Sequence, residues 1–77
     1  MKLPRDVGAA ELIKALSRLG YRVVRQSGSH IRLECAVHAL TIPNHRPLRV
    51  GTLAAVLGDI AARRHMDKEV LIKLLGP

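Results

Sequence analysis

His30 follows Ser27, Gly28 and Ser29 at the start of a run in which apolar and polar residues alternate. An imidazole has an unperturbed pKa of about 6.5, so it can accept or donate a proton near neutral pH. The three preceding residues would offer backbone N–H groups and two hydroxyls at a turn, an arrangement that suits a bound anion. The same local sequence also fits a plain hairpin turn followed by a solvent-exposed histidine.

RNA is a substrate that such a histidine can act on, because its 2′-hydroxyl already supplies the nucleophile. Cleavage needs a base for the hydroxyl proton, an acid for the leaving oxygen and positive charge near the phosphate. His30 can be the acid or the base. Arg25, Arg32 and Arg46 are candidates for binding the phosphate, since guanidinium groups match phosphate oxygens. His45 is either a second proton-transfer group or a solvent-exposed loop histidine.

The 77-residue chain carries 13 Lys and Arg residues against 6 Asp and Glu residues, a formal net charge of +7. Such an excess favours a polyanionic partner, because neutralising phosphates releases counterions. Tyr21 is the only residue of the Phe, Trp and Tyr types. The chain therefore lacks base-stacking platforms, and it would hold nucleic acid through phosphates, hydroxyls and a few polar groups.

The sequence gives little support for a metal or cofactor site. Cys35 is the only cysteine, and the four histidines include no pair at i,i+4 spacing. A disulfide framework and cysteine-ligated zinc are thus excluded, and a histidine-based zinc site is not expected. His38 and His65 fall at the ends of a hairpin and of a helix, where we expect structural roles.

No apolar run approaches the ~20 residues that a membrane span requires, and the N-terminus lacks the apolar segment of a signal peptide. We therefore expect a cytoplasmic protein with no membrane partner. No stretch has the composition of a linker, an internal repeat or a low-complexity segment. Residues 1–77 are accordingly expected to form a single domain.

Apolar residues at helical spacing predict three helices. The first covers about residues 7–19, with Asp6 as its cap and Gly20 at its stop. The second runs from residue 51 or 52 to about residue 64, and Asp67 caps a short third helix. The apolar stripes comprise Ala9, Leu12, Ile13, Leu16 and Leu19 in the first helix and Leu53, Val56, Leu57 and Ile60 in the second.

Three β-rich runs separate the first two helices, at residues 21–26, 30–35 and 38–43. The loop between the first two runs holds two or three residues, which leaves their register open. In the second run the apolar side chains alternate with polar ones. His30 and Arg32 should therefore lie on the face opposite the apolar side chains.

The apolar residues predict the register of the second hairpin. If residues 36–37 form its turn, the apolar side chains of both strands align on one face of the sheet. Pro43 then lies across from His30, and His45 comes within reach of it. This register pairs Leu33 with Leu40 and Ile31 with Ile42.

The expected fold class is α+β, in the order α-β-β-β-α with an extra short C-terminal helix. A three-stranded antiparallel sheet with one apolar face needs that face covered, and amphipathic helices can cover it. The helices should thus pack on one face of the sheet, which leaves the face that carries His30 and Arg32 open.

Four short segments of the chain, taken in their order along the sequence, form a pattern. They are Leu16 to Tyr21, Val24 to His30, Thr41-Ile42-Pro43-Asn44-His45, and Gly51-Thr52-Leu53 followed by Val56-Leu57. Together they resemble the HicA-type toxin family over about residues 5–75. The succession of Gly-Ser-His, Thr-Ile-Pro-x-His and Gly-Thr-Leu makes this resemblance specific.

The resemblance implies a double-stranded-RNA-binding-domain-like fold and the toxin half of a prokaryotic type II toxin–antitoxin pair. Such toxins are ribonucleases that act on messenger RNA and inhibit translation, and a HicB-type antitoxin covers their active surface. The family's catalytic histidine, that of Gly-Ser-His, corresponds to His30. Residues 60–66 form a longer segment than in compact members, so the C-terminal helix is expected to make an additional contact, such as self-association.

The leading hypothesis is a metal-independent endoribonuclease without a cofactor, in which His30 is the general acid or base and His45 a helper. One alternative is a non-catalytic RNA-binding module on the same fold. Another is a degenerate toxin that only binds its antitoxin. The residues expected to bind RNA are Arg25, Ser27, Gly28, Ser29, Arg32 and Arg46.

Overall fold

The computed structural model describes residues 3–75. They form, in order, α1 (Ala9–Ser17), β1 (Arg22–Ser27), β2 (His30–Glu34), β3 (Ala39–Pro43), α2 (Val50–Arg64) and α3 (Lys68–Leu74). The strands make an antiparallel sheet in the order β1-β2-β3, so β2 is central. The predicted α+β fold class, with its extra C-terminal helix, is confirmed.

The predicted register of the second hairpin is also confirmed. Residues 36–37 form its turn, and the N–H of Cys35 donates a 2.8 Å hydrogen bond to the carbonyl oxygen of His38. The apolar side chains of β2 and β3 consequently share one face. The pairs in register are Leu33 with Leu40, Ile31 with Ile42 and His30 with Pro43.

The start of α1 differs from the prediction, which placed the cap at Asp6. Gly8 is the N-cap, and its N–H donates a hydrogen bond of 2.8 Å to Oε1 of Glu11. The N–H of Ala9 donates to the carbonyl oxygen of His45 at 3.0 Å. Because Glu11 and the loop after β3 accept from these donors, the helix needs no cap from Asp6. Asp6 instead adopts a left-handed φ of +63° before the helix.

The other two helices lie close to their predicted positions. Helix α2 begins at Val50, and it ends where His65 adopts a left-handed φ of +53°. Asp67 is the N-cap of α3, as predicted. The side chain of Leu71 is buried in the core and packs α3 against the rest of the domain. Among residues 3–75, no helix is long and apolar enough to cross a membrane.

The core lies between the helices and one face of the sheet. Burial of each large aliphatic side chain contributes about 1.5–3 kcal/mol to stability. Strand β1 contributes nothing to this core, since all six of its residues are exposed. The core side chains of the sheet therefore come from β2 and β3, and the side chains of β1 at its edge remain exposed. The largest fully buried side chains are Leu12, Leu16, Leu33, Ile42, Leu53, Leu57, Ile60 and Leu71.

Candidate nucleic-acid interface on the open face of the sheet

His30 lies on the face of the sheet that the helices leave open. The next residue, Ile31, is only 4% exposed, so strand alternation directs the His30 side chain away from the core. Ser27 of β1 and Pro43 of β3 flank His30 in register, and His30 itself is exposed. The central strand thus begins with an imidazole that a ligand can reach from solvent.

The turn before His30 belongs to the same surface. Ser27, Gly28 and Ser29 are all exposed, and Gly28 has a φ of +58°. A two-residue loop with glycine first, at positive φ, matches a type II′ turn, whose twist suits a β-hairpin. The turn therefore places one serine on each side of Gly28, directly beside His30.

A β-bulge at Val24 sets the direction of Arg25. Val23 pairs with Leu33. The next pair is Arg25 with Arg32, which leaves Val24 as an extra residue. Paired residues share a face, so Arg25 lies beside Arg32 on the open face. In a regular strand that continued from Val23, Arg25 would have faced the helix side instead.

The open face of the sheet is positively charged. Glu34 is the only acidic residue in the three strands, against the arginines at positions 22, 25 and 32. Nε of Arg32 lies 3.3 Å from Oε2 of Glu34, and Arg22 pairs with Glu34 in register. Arg25 forms no ion pair with any other residue in the range 3–75. Its guanidinium is therefore an uncompensated charge on the face that carries His30.

The loop after β3 packs against the turn before His30. The N–H of Asn44 donates a hydrogen bond of 2.6 Å to the carbonyl oxygen of Ser29. One residue later, the carbonyl oxygen of His45 accepts from the N–H of Ala9, while His45 remains exposed. The loop is thus held on both sides, and it brings His45 to the end of the sheet where His30 lies.

Arg46, the third predicted phosphate ligand, lies at the start of α1 rather than on the sheet. Its Nη1 is 2.6 Å from Oε1 of Glu11, the same oxygen that accepts from the Gly8 N–H. The backbone hydrogen bond from Gly8 and the charge of Arg46 hold the pKa of the Glu11 carboxyl below its usual value. Glu11 therefore stays ionised and compensates part of the Arg46 charge.

A polar network at the opposite end of the sheet was not foreseen from the sequence. The hydroxyl of Tyr21 lies 2.7 Å from Nδ1 of His38, and Nε2 of His38 lies 3.1 Å from Oδ2 of Asp59. Burial raises the pKa of the Tyr21 hydroxyl, which keeps it protonated as a hydrogen-bond donor. The tautomer of His38 that fits both contacts carries its proton on Nε2. Its Nδ1 then accepts the hydrogen bond from the Tyr21 hydroxyl, and its Nε2–H donates to Asp59. The network ties the second hairpin to α2.

Arg64 and Cys35 border this network. Arg64 donates a hydrogen bond of 2.6 Å to the carbonyl oxygen of Leu19, and its guanidinium lies 5.5 Å from the centre of the Tyr21 ring. Desolvation raises the pKa of the Cys35 thiol, but hydrogen bonds from the neighbouring backbone, with the Arg64 charge, outweigh it and lower the pKa. Arg64 and Cys35 thus lie at the end of the sheet away from His30, beside Tyr21.

The open face combines the groups needed for proton transfer beside a bound anion. His30 supplies an imidazole, Arg25 an uncompensated guanidinium, and the turn supplies hydroxyl groups. Within residues 3–75, no group of three or more His, Cys, Asp or Glu side chains is arranged to hold a metal ion. The chemistry that these side chains can provide is acid–base catalysis with electrostatic stabilisation of a phosphate.

Comparisons with known proteins connect this surface to a family. A protein-family model described as the HicA toxin of bacterial toxin–antitoxin systems matches residues 9–61, from the start of α1 through most of α2. The match covers more than half of the chain and includes the whole sheet and the loop after it. Searches against curated proteins and against solved structures found no match.

Proposed function

The chain belongs to the HicA toxin family of bacterial toxin–antitoxin systems, and we propose that it is a metal-independent endoribonuclease that cleaves messenger RNA. Cleavage of messenger RNA would inhibit translation, so the toxin acts in the cytoplasm. The observation that carries the proposal is the exposed His30 on an open, basic sheet face, beside an arginine without an acidic partner.

The reaction is a transesterification within the RNA. As a base, His30 takes the proton of a 2′-hydroxyl while the 2′ oxygen attacks the adjacent phosphorus. The bond from phosphorus to the 5′ oxygen breaks, and a second group donates a proton to that leaving oxygen. The products carry a 2′,3′-cyclic phosphate and a 5′-hydroxyl. If His30 is instead the acid, the two proton transfers exchange partners and the products are the same.

His45 is the proposed second group. It lies two residues beyond Pro43, which is the partner of His30 across the sheet, and the loop is fixed by the Asn44–Ser29 hydrogen bond. That anchoring supports a role for His45, because a catalytic side chain needs a defined position relative to the substrate.

Arg25 and Arg32 are the proposed phosphate ligands on the sheet. Their pairing across β1 and β2 places two arginine side chains next to each other on one face, and this arrangement suits the oxygens of one phosphodiester. The Ser27-Gly28-Ser29 turn adds hydroxyl groups at the same end. Arg46 binds RNA at the margin of this surface, with Glu11 reducing its effective charge.

A HicB-type antitoxin is the proposed partner, and it neutralises the toxin by covering the open face. A protein seated over His30 excludes RNA from the imidazole and from Arg25 together. Self-association is proposed for α3, where Val70 is 47% exposed and would be buried by a second copy.

The decisive experiment measures RNA cleavage by the purified protein in the presence of EDTA. Wild type is compared with His30→Ala, His45→Ala and the control His65→Asn. Loss of a general acid or base should slow cleavage about 100-fold or more. His65 is exposed at the end of α2 with a left-handed φ, which asparagine tolerates, so this control removes a histidine without touching the proposed site.

The outcomes distinguish the proposal from its alternatives. Cleavage by wild type that is lost in His30→Ala supports the endoribonuclease. Salt-sensitive RNA binding without any cleavage products would instead identify a non-catalytic RNA-binding module. A protein that neither binds nor cleaves RNA, yet binds its antitoxin tightly, would be a degenerate toxin.

A further inference from the structure

A basic cleft lies on the outer side of α1, away from the sheet. It has a volume of about 410 Å³ and is bounded by α1 and by the C-terminal end of α3. Lys14 and Arg18 line it from α1, and Lys73 lines it from α3. Leu74 and Leu75 form its apolar wall.

The cations of this cleft are not neutralised by the rest of the described chain. None of Lys14, Arg18 and Lys73 forms an ion pair with another residue in the range 3–75. The only acidic residue in the lining is Glu11, which already binds Arg46 and the Gly8 N–H. Lys14 and Arg18 are like charges at i,i+4 spacing, which repel each other in a helix, so an anionic ligand between them is favoured.

The loop after β3 connects the edge of this cleft with the surface that carries His30. The loop after β3 bonds to α1 through Ala9, and Arg46 of that loop bonds to Glu11. Glu11, Lys14 and Arg18 then follow one another at spacings of three and four, which forms a single stripe about 10 Å long on α1. A chain of phosphates leaving His30 over the loop meets these cations next.

We propose that Lys14, Arg18 and Lys73 bind the phosphate backbone of the RNA that flanks the cleavage site. This rests on the proposed function, and it extends the RNA-binding surface from the sheet to the opposite side of α1. RNA is favoured over an acidic protein segment because the cations lie along a track that begins at the proposed active face. The contacts are to phosphates, so they should add affinity without sequence preference.

The test measures RNA binding by fluorescence anisotropy in a His30→Ala background, where the RNA stays intact. The cleft variant is Lys14→Gln with Arg18→Gln, and the control is Arg63→Gln with Lys68→Gln. Each variant removes one lysine and one arginine, and all four residues are exposed. Lys73→Gln is measured separately, because it reports whether α3 takes part.

For single-stranded RNA, each phosphate contact contributes about 0.7 to the slope of log affinity against log salt, or about 5-fold in affinity at ~0.1 M salt. The cleft variant should therefore bind a long RNA about 25-fold more weakly, with a slope reduced by about 1.4. Lys73→Gln should lose about 5-fold in affinity. The control variant should match the parent protein, because Arg63 and Lys68 lie outside the cleft.

A second set of measurements separates this proposal from the function on which it rests. In the protein that retains His30, the cleft variant should have a higher KM for the long RNA and an unchanged kcat. If wild type cleaves RNA and the cleft variant binds it no worse than the control, the cleft proposal is wrong and the endoribonuclease stands. If wild type neither cleaves nor binds RNA, both fail. Loss of binding to polyglutamate with RNA binding retained would show a protein-docking cleft and overturn the proposal.

Discussion

The backbone N–H of Asn44 and the carbonyl oxygen of Ser29 form a 2.6 Å hydrogen bond across the end of the sheet. It connects the turn that precedes His30 with the loop that carries His45. Because the bond uses only backbone atoms, neither histidine side chain is consumed in holding the two segments together. The two segments are therefore positioned independently of the groups proposed to do chemistry.

The conformation of this turn leads to a prediction for Gly28→Ala. Gly28 has a φ of +58°, and a methyl group there would meet no neighbouring atom, so the cost is conformational. We expect a loss of about 1–2 kcal/mol in the free energy of unfolding. We also expect slower RNA cleavage, because the turn orients the start of β2. Urea unfolding and RNA cleavage by the same preparation measure the two effects.

Gly51→Ala is the matched control for that substitution. Gly51 lies in the first turn of α2 without a positive φ, and a methyl group there also enters open space. Alanine in a helix is favoured over glycine by about 0.5–1 kcal/mol, so this variant should be more stable and equally active. A destabilised Gly51→Ala, or a Gly28→Ala as stable as wild type, would contradict the conformational argument.

The bulge in β1 leads to a second prediction. Arg25→Gln should weaken RNA binding about 5-fold at ~0.1 M salt, the effect of one lost phosphate contact. The double variant Arg25→Gln with Gln26→Arg keeps the net charge but moves the guanidinium to the other face of the sheet. Since Gln26 pairs with the buried Ile31, this variant should bind as weakly as Arg25→Gln alone. Recovery of affinity in the swapped protein would mean that only total charge matters.

The second hairpin could be predicted because its apolar residues align in one register only. The β1–β2 register could not, since one extra residue at Val24 reverses the faces of all residues on one side of it. The N-cap of α1 escaped prediction for a different reason. The acceptor of the Ala9 N–H is the carbonyl oxygen of His45, which is remote in sequence and is brought close only by the fold.

Among the site residues, too, local sequence pattern predicted some positions, whereas others depend on contacts between residues far apart in the sequence. His30 and Arg32 were placed on the open face by strand alternation alone, and the structure has them there. Arg46 was assigned to phosphate binding from its charge, whereas its ion pair with Glu11 joins residues 35 positions apart. Such long-range side-chain partners leave no periodic signal in a single sequence. The role of Arg46 in RNA binding stays a prediction.

Tyr21 and His38 give a third prediction, which separates stability from activity. Tyr21 is buried, and the side chain of His38 is only 6% exposed, so His38→Ala leaves the tyrosine hydroxyl without its partner. We expect a loss of about 1–3 kcal/mol in the free energy of unfolding. Tyr21→Phe should cost less, about 0.5–1.5 kcal/mol, and the double variant should cost less than the sum of the two.

RNA cleavage per folded molecule should be unchanged in both of these variants, because His38 lies at the end of the hairpin opposite His30. The measurement is a double-mutant cycle by urea unfolding, combined with cleavage assays at a temperature where all variants remain folded. Additive free energies would show that the two side chains do not interact. A specific loss of cleavage in His38→Ala would place that histidine in the mechanism.

Glu11 gives a fourth prediction, for the dependence of stability on pH. Its folded-state pKa lies below the unfolded value of about 4.3, chiefly through the Gly8 N–H and also through Arg46. The stabilisation is therefore present above that pH, and it is lost as the pH falls through the folded pKa. Glu11→Gln should lower the Tm near pH 7 and have little effect near pH 2. Glu69→Gln is the matched control, because Glu69 lies in the first turn of α3 and makes no ion pair with residues 3–75. This control should alter the Tm less than Glu11→Gln does. A Tm difference that stays constant with pH would rule out the ionised carboxylate as the source of the stability.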